Sequence, residues 1–282
     1  MVLIRVLMDM SFFQRKLEKI IQKNNSLVCV GLDIDTKKMP SFLFDLNENP
    51  YTEFTKAIIN TTSDVVCAYK LNLAFYEALG AEGWNILKQT IQHIPKEVII
   101  ILDGKRNDIG NTAEKYASAL FDGLGADATT VNPYLGWDGI QPFLKYSHTC
   151  SFILCRTSNP SAVDFQDLNV DGKPLYMHVA DRVMKWNKHG CCGVVVGATY
   201  PEELRSIRGV LGDSIPFLIP GIGSQGGDVE KTVQYGTNAK GSMAVINSSR
   251  GIIYAGSDEN FAEDARAAAC SLRDEINRYR SE

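Results

Sequence analysis

Runs of aliphatic and β-branched residues recur along the chain at the length of strands, and most are followed by a stretch with helical periodicity. Eight stand out: LVCVGLD (27–33), DVVCAYK (64–70), EVIIILD (97–103), DATTVN (127–132), SFILCRT (151–157), GVVVGA (193–198), IPFLIPG (215–221) and GSMAVINSS (241–249). They are nearly continuous in apolar residues instead of alternating, which marks strands covered on both faces, as in a parallel sheet wrapped by helices. Between them, residues 54–63 set Phe54, Ala57, Ile58 and Thr61 on one helical face, and residues 82–94 do the same with Trp84, Leu87, Ile91 and Ile94. A third stretch opens with Asn111 as cap and Glu114 three positions on, and closes at Gly123 and Gly125.

Eight β-then-α units in 282 residues predict an α/β fold, a (β/α)8 TIM barrel, as a single domain over 1–282. A doubly wound open sheet fits less well. Its G-x-G-x-x-G fingerprint is missing after the first strand, where Gly31 is followed by Leu32, Asp33 and Ile34. An extra N-terminal helix precedes the barrel: Ser11 reads as its cap, and Phe13, Leu17, Ile20 and Ile21 form one stripe suited to closing the N-terminal mouth. Residues 1–10 are apolar but too short for a membrane span and poorly flanked for a signal peptide, and read as a small extra segment. The connection between the fifth and sixth strands is long, and residues 159–173 form an extra loop within it, with Asp171–Gly172 as a tight turn.

Composition narrows the function. With 45% hydrophobic and 22% charged residues and a net charge of −4, the chain has no broad basic face for nucleic acid or an anionic membrane. An anion must therefore be held by a local site. The seven cysteines include no C-x-x-C pair and no Cys/His zinc spacing, and several lie inside strand-like runs. They read as buried, reduced thiols of a cytoplasmic protein. The four histidines (93, 148, 178 and 189) fall in helices or at their ends, so neither a metal cluster nor a Ser-His-Asp arrangement has a candidate.

In a barrel, reacting groups stand at the C-terminal ends of the strands. Reading only those positions gives Asp33, Lys70, Asp103 with Lys105, Asn132, Thr157 with Ser158, the PGIGSQGGD segment from Pro220, and Arg250. Acids and bases alternate on one rim. On an extended backbone Asp103 and Lys105 point the same way, while Asp108 lies further along the same loop. Charges forced together in a partly desolvated mouth hold one another ionised. The small residues of PGIGSQGG can bring backbone amides close to an anion ahead of a helix starting near Asp228, and Arg250 can add a bidentate contact. Together they read as a phosphate site.

Asp103-Gly104-Lys105-Arg106-Asn107-Asp108, followed by IGNT, resembles the D-x-K-x-x-D signature of the orotidine 5'-phosphate decarboxylase family. The similarity runs from CVGLDID through AYKLNLAFYEALG, RTSNPSA and PGIG to SSRG, and is closest to the longer, single-function branch found in many bacteria and some protozoa. The resemblance implies a cofactor-free, metal-free enzyme converting orotidine 5'-monophosphate to UMP. It implies a catalytic array of Lys70, Asp103, Lys105 and Asp108, with Lys105 as proton donor. Asp33 and Asn72 fall to the ribose, Ser158 to the pyrimidine edge, and Gly223, Gln225 and Arg250 to the phosphate. It further implies a homodimer in which Asp108 and Thr112 reach into the neighbouring subunit's site. The glycine-rich loop after the seventh strand is the expected lid.

Three other readings remain. Magnesium-dependent sugar-phosphate lyases of the same fold group share D-x-K-x-x-D, but carry a carboxylate at the end of the second strand, where this chain has Lys70. A Schiff-base aldolase would need Lys70 or Lys105 as a neutral amine, against the aspartates beside them. A barrel that only binds nucleotides would have no need of the intact array.

Overall fold

The computed structural model describes residues 10–46, 48–222 and 226–280. Residues 1–9, most of the apolar N-terminal segment, lie outside the described residues. Eight parallel strands close into a barrel: β1 (Val28–Gly31), β2 (Ala68–Asn72), β3 (Ile99–Arg106), β4 (Ala128–Val131), β5 (Cys150–Arg156), β8 (Cys192–Val196), β9 (Phe217–Pro220) and β10 (Ala244–Ser248). The ring is completed where β1 pairs with both β2 and β10. Among the described residues two further strands, β6 (Asn169–Val170) and β7 (Lys173–Pro174), form a small antiparallel hairpin inside the β5–β8 connection. Its turn residues Asp171 and Gly172 have φ of 52° and 78°, the left-handed pair that a two-residue hairpin demands.

Strand interiors are buried on both faces, as continuous apolar runs require. At the N-terminal mouth lies the helix Phe12–Asn24, whose Ser11 and Gln14 form a capping box. Phe13, Leu17, Ile20 and Ile21 are each at most 1% exposed. Gln14 donates to the Ser214 carbonyl ahead of β9 at 2.7 Å, and Lys16 pairs with Asp127 ahead of β4 at 2.6 Å. These partners all precede strands, so the helix closes the end of the barrel opposite the strand C-termini. Among the described residues no helix is long and apolar enough to cross a membrane.

Three local expectations change. Asn111 does not cap its helix: Gly110–Ser118 begins after Ile109, with no side-chain cap, two residues earlier than an Asn111 cap would start it. Trp84 is 42% exposed, since the buried stripe of helix Gly80–His93 runs through Gly83, Ile86, Leu87, Thr90 and Ile91 instead. And β3 continues past Asp103 to Arg106, so Asp103, Lys105 and Arg106 belong to the strand itself, while Asp108 stays in the loop after it.

Candidate active site

The strand C-termini surround a cavity of about 670 Å3. Asp33, Lys70, Asp103 and Lys105 line one part of it, Ser158, Asn159 and Arg250 another, and Leu154, Val195, Leu218 and Ile222 supply apolar wall. A flat, partly apolar ring with charged substituents suits such a surface, because each side finds its own kind of neighbour.

Each charged group is fixed by its element. Asp33 follows β1 in a segment held by two tyrosines: Tyr76 donates to the Leu32 carbonyl at 2.9 Å, and Tyr254 donates to the Asp33 carbonyl at 2.9 Å while accepting from the Asp35 amide at 2.6 Å. Lys70 rises from β2 with its side chain 6% exposed, its Nζ 3.2 Å from Asp103 Oδ2 and 3.6 Å from Asp33 Oδ1. Burial alone would push the Lys70 ammonium toward neutrality; the carboxylates of Asp33 and Asp103 outweigh it and hold its proton affinity above that of an ordinary lysine. Burial likewise works against the Asp103 carboxylate, yet Lys70, Lys105 and the Thr130 hydroxyl bring its pKa down to about 2. Lys105 Nζ donates to Asp103 Oδ1 at 2.8 Å. Asp33, Lys70, Asp103 and Lys105 therefore form one chain of alternating sign.

Lys105 does not reach this place by simple alternation. Its φ is 45°, and the β3–β4 register shifts between Leu102 and Arg106, so a bulge turns its side chain back toward Asp103. Thr130, which the sequence reading passed over, accepts from the Lys105 amide and donates to Asp103. Its only signal was position, a hydroxyl near the end of the fourth strand.

On the far wall, Arg156 at the end of β5 is 1% exposed. It donates to Asp167 Oδ2 at 3.1 Å and lies 3.8 Å from the Tyr200 ring centroid. Gln166 bridges back to the Thr157 amide and hydroxyl at 2.8 Å each. The extra loop is thus tied to the strand end that presents Ser158. Below the glycine-rich segment, Gly227 donates to the Gly221 carbonyl at 3.1 Å; a Cβ there would stand 2.8 Å from that oxygen, so only glycine allows the loop ends to close. Gly223 and Gln225, and with them the centre of the expected lid, lie outside the described residues.

The other site residues of the sequence reading stand apart from this cavity within one chain. Asn72 caps the helix Leu73–Glu77 by accepting from the Ala74 amide at 3.2 Å. Asp108 accepts from the Ile109 amide at 2.8 Å, and Thr112 is exposed on the following helix. Buried acceptors remain open inside: Asp33 Oδ1 and Asn247 Oδ1 have no hydrogen-bond partner among the described residues. Such atoms in a cavity are places for ligand donors.

A parallel barrel with an alternating carboxylate–ammonium array at its C-terminal face and an arginine after the last strand defines the barrel enzymes that act on phosphorylated small molecules. The sequence model of the orotidine 5'-phosphate decarboxylase / HUMPS family matches residues 26–265, and the chain belongs to that family. A protein named orotidine 5'-phosphate decarboxylase from Dehalococcoides mccartyi is 50% identical over 272 residues, covering 95% of this chain and 98% of the relative. One of the same name from Cellvibrio japonicus is 50% identical over 274 residues, with the same coverage. Among solved structures, Leishmania donovani OMP decarboxylase aligns with a TM-score of 0.83 at 39% identity, over 96% of this chain and 98% of that one. Leishmania donovani UMP synthase aligns with a TM-score of 0.85 at 40% identity, over 96% of this chain but 56% of the longer protein.

Proposed function

We propose that the chain decarboxylates orotidine 5'-monophosphate to uridine 5'-monophosphate, releasing carbon dioxide, in pyrimidine nucleotide synthesis. The observation that carries this reading is the unbroken run from Lys70 through Asp103 to Lys105, at 3.2 and 2.8 Å. Loss of carbon dioxide leaves an electron pair in the plane of the pyrimidine ring, where no ring π-system can spread it. A cation set in place beforehand is what lowers the cost. Lys105 supplies it, and transfers one Nζ proton to the ring carbon as the carbon–carbon bond breaks. Asp103, kept ionised, orients the ammonium and faces the departing carboxylate. Lys70 keeps Asp103 charged.

The remaining groups bind. Asp33, with an open acceptor, takes a ribose hydroxyl, Ser158 the pyrimidine edge and Arg250 the phosphate, together with Gly223 and Gln225. Phosphate binding far from the reacting carbon supplies energy to order the array. Asp108 and Thr112, placed away from their own cavity, act on the neighbouring site of a homodimer, and Asn72 completes the ribose contacts. Seven free cysteines, six of them buried, support a reducing, cytoplasmic setting.

The magnesium-dependent lyase reading loses its donor. In place of a carboxylate at the end of β2 stands the Lys70 ammonium, already between Asp33 and Asp103. The test is ultraviolet absorbance of orotidine 5'-monophosphate with purified protein in a chelator. Loss of the orotate chromophore with UMP as product supports the reading. No loss, with a sugar phosphate turned over once magnesium returns, overturns it.

A further inference from the structure

Lys105 has a placement problem that packing does not solve. Its side chain is 48% exposed, so neighbours do not confine it, yet the reaction needs its ammonium fixed. Its backbone sits at φ 45°, a left-handed conformation that non-glycine residues resist. At the same point the β3–β4 register shifts, and the ladder is next seen where the Asn132 amide donates to the Arg106 carbonyl at 2.9 Å. The Lys105 amide donates to a side chain instead of a strand carbonyl: Thr130 Oγ1, at 2.9 Å. That hydroxyl gives its own proton to Asp103 Oδ1 at 2.7 Å, the oxygen that also accepts from Lys105 Nζ at 2.8 Å. The ring closes on itself: Lys105 amide, Thr130, Asp103, Lys105 ammonium. Thr130 is 1% exposed and contributes to the cavity wall.

We infer that Thr130 is a positioning residue of the decarboxylation, holding Lys105 in its left-handed turn and Asp103 in one rotamer before substrate arrives. The inference rests on the function proposed above. Valine keeps the shape of threonine and removes both hydrogen bonds; serine keeps both. The ribose, base and phosphate contacts come from Asp33, Ser158 and Arg250, so losing the hydroxyl should slow the chemical step and leave substrate binding in place. Thr129 provides the control. It is the adjacent residue of β4, fully buried, and its hydroxyl donates to the Leu102 carbonyl at 2.7 Å without touching the array.

The experiment measures kcat, KM and melting temperature on orotidine 5'-monophosphate for the wild-type chain and for Thr130→Val, Thr130→Ser and Thr129→Val. Thr130→Val is expected to lose on the order of 10²-fold in kcat, the scale of a small misplacement of a reacting group, with KM within about twofold. Thr130→Ser should stay within about fivefold of wild type in kcat, and Thr129→Val should melt earlier while keeping kcat. If Thr130→Val does not fold, Thr130→Ala carries the same comparison, since its missing atoms border an open cavity. The inference is overturned if the hydroxyl-free variant keeps wild-type kcat, if serine restores nothing, or if Thr129→Val loses kcat equally. A wild-type chain that leaves the substrate untouched overturns the functional reading, and the inference with it.

Discussion

The Nζ of Lys70 lies 3.2 Å from Oδ2 of Asp103, and both side chains are under 10% exposed, at 6% and 9%. Two charges this deep are tolerable only together. Each compensates the lost hydration of the other, and Asp33, 3.6 Å from the same ammonium, makes the arrangement a triad. Replacing Lys70 by methionine keeps the volume, strands the Asp33 carboxylate and leaves Asp103 to Lys105 and Thr130. Lys70→Met is expected to cost about 3–5 kcal/mol of stability and to lower kcat by at least about 10²-fold. Denaturant unfolding and steady-state kinetics check both. An unchanged midpoint would mean the carboxylates find other partners.

The same pair sets a pH window. Asp103 titrates near 2 in the folded chain, below its unfolded value of about 3.9, so its share of stability is complete above pH 4 and is lost as pH falls toward 2. That share is roughly 2–3 kcal/mol. Lys70 is shifted upward, so its share is complete below the unfolded lysine value of about 10.4 and is lost as pH rises beyond it. Between those limits the array contributes a plateau. In Asp103→Asn the acid-side fall between about pH 4 and 2 should flatten, which urea unfolding across that range would reveal.

Gly31 closes β1 directly beneath Ser249, with a Cβ built there standing 1.8 Å from the serine Oγ and 2.8 Å from its Cβ. Gly31→Ala should therefore push the segment carrying Arg250 outward, costing about 1–3 kcal/mol and raising KM. Adding Ser249→Gly in the same chain removes the clash and should restore both. Failure of the second change to rescue the first would locate the strain elsewhere.

What the sequence revealed, and what it hid, follows from how each feature is encoded. The barrel was legible because two-sided burial forces uninterrupted runs such as EVIIILD, and the helix at the closed end because Ser11, Phe13 and Leu17 fall in register. Asp33, Lys70, Asp103, Ser158 and Arg250 were legible because strand ends in a parallel barrel all face one way. The route taken by Lys105 was not. Extended alternation gave the right side for the wrong reason, since a left-handed residue and a register shift bring it there. Thr130 escaped notice because a buried threonine in a strand looks the same whether it bonds a carbonyl, as Thr129 does, or a carboxylate. Asn72 and Thr112 were named from resemblance alone, Asp108 also from the run of charges after the third strand, and one chain does not bring them to its cavity.

The proposed sharing of sites between two subunits predicts complementation. Lys70→Ala and Asp108→Ala should each be nearly inactive alone. Mixed and allowed to exchange subunits, they should regain activity, because each mixed dimer holds one site with neither change. Recovery approaching a quarter of wild-type specific activity is the expected ceiling, about half of the dimers with one of two sites intact. No recovery despite demonstrated exchange would return Asp108 to its own chain.

The most direct measurement is kcat/KM of Lys105→Ala on orotidine 5'-monophosphate beside the wild-type chain. Lys105 is assigned both the stabilising cation and the transferred proton, so the account predicts a loss of at least about 10⁴-fold with the fold intact by circular dichroism. Turnover within about tenfold of wild type would contradict it, and would place the proton and the charge on some other group at the barrel mouth.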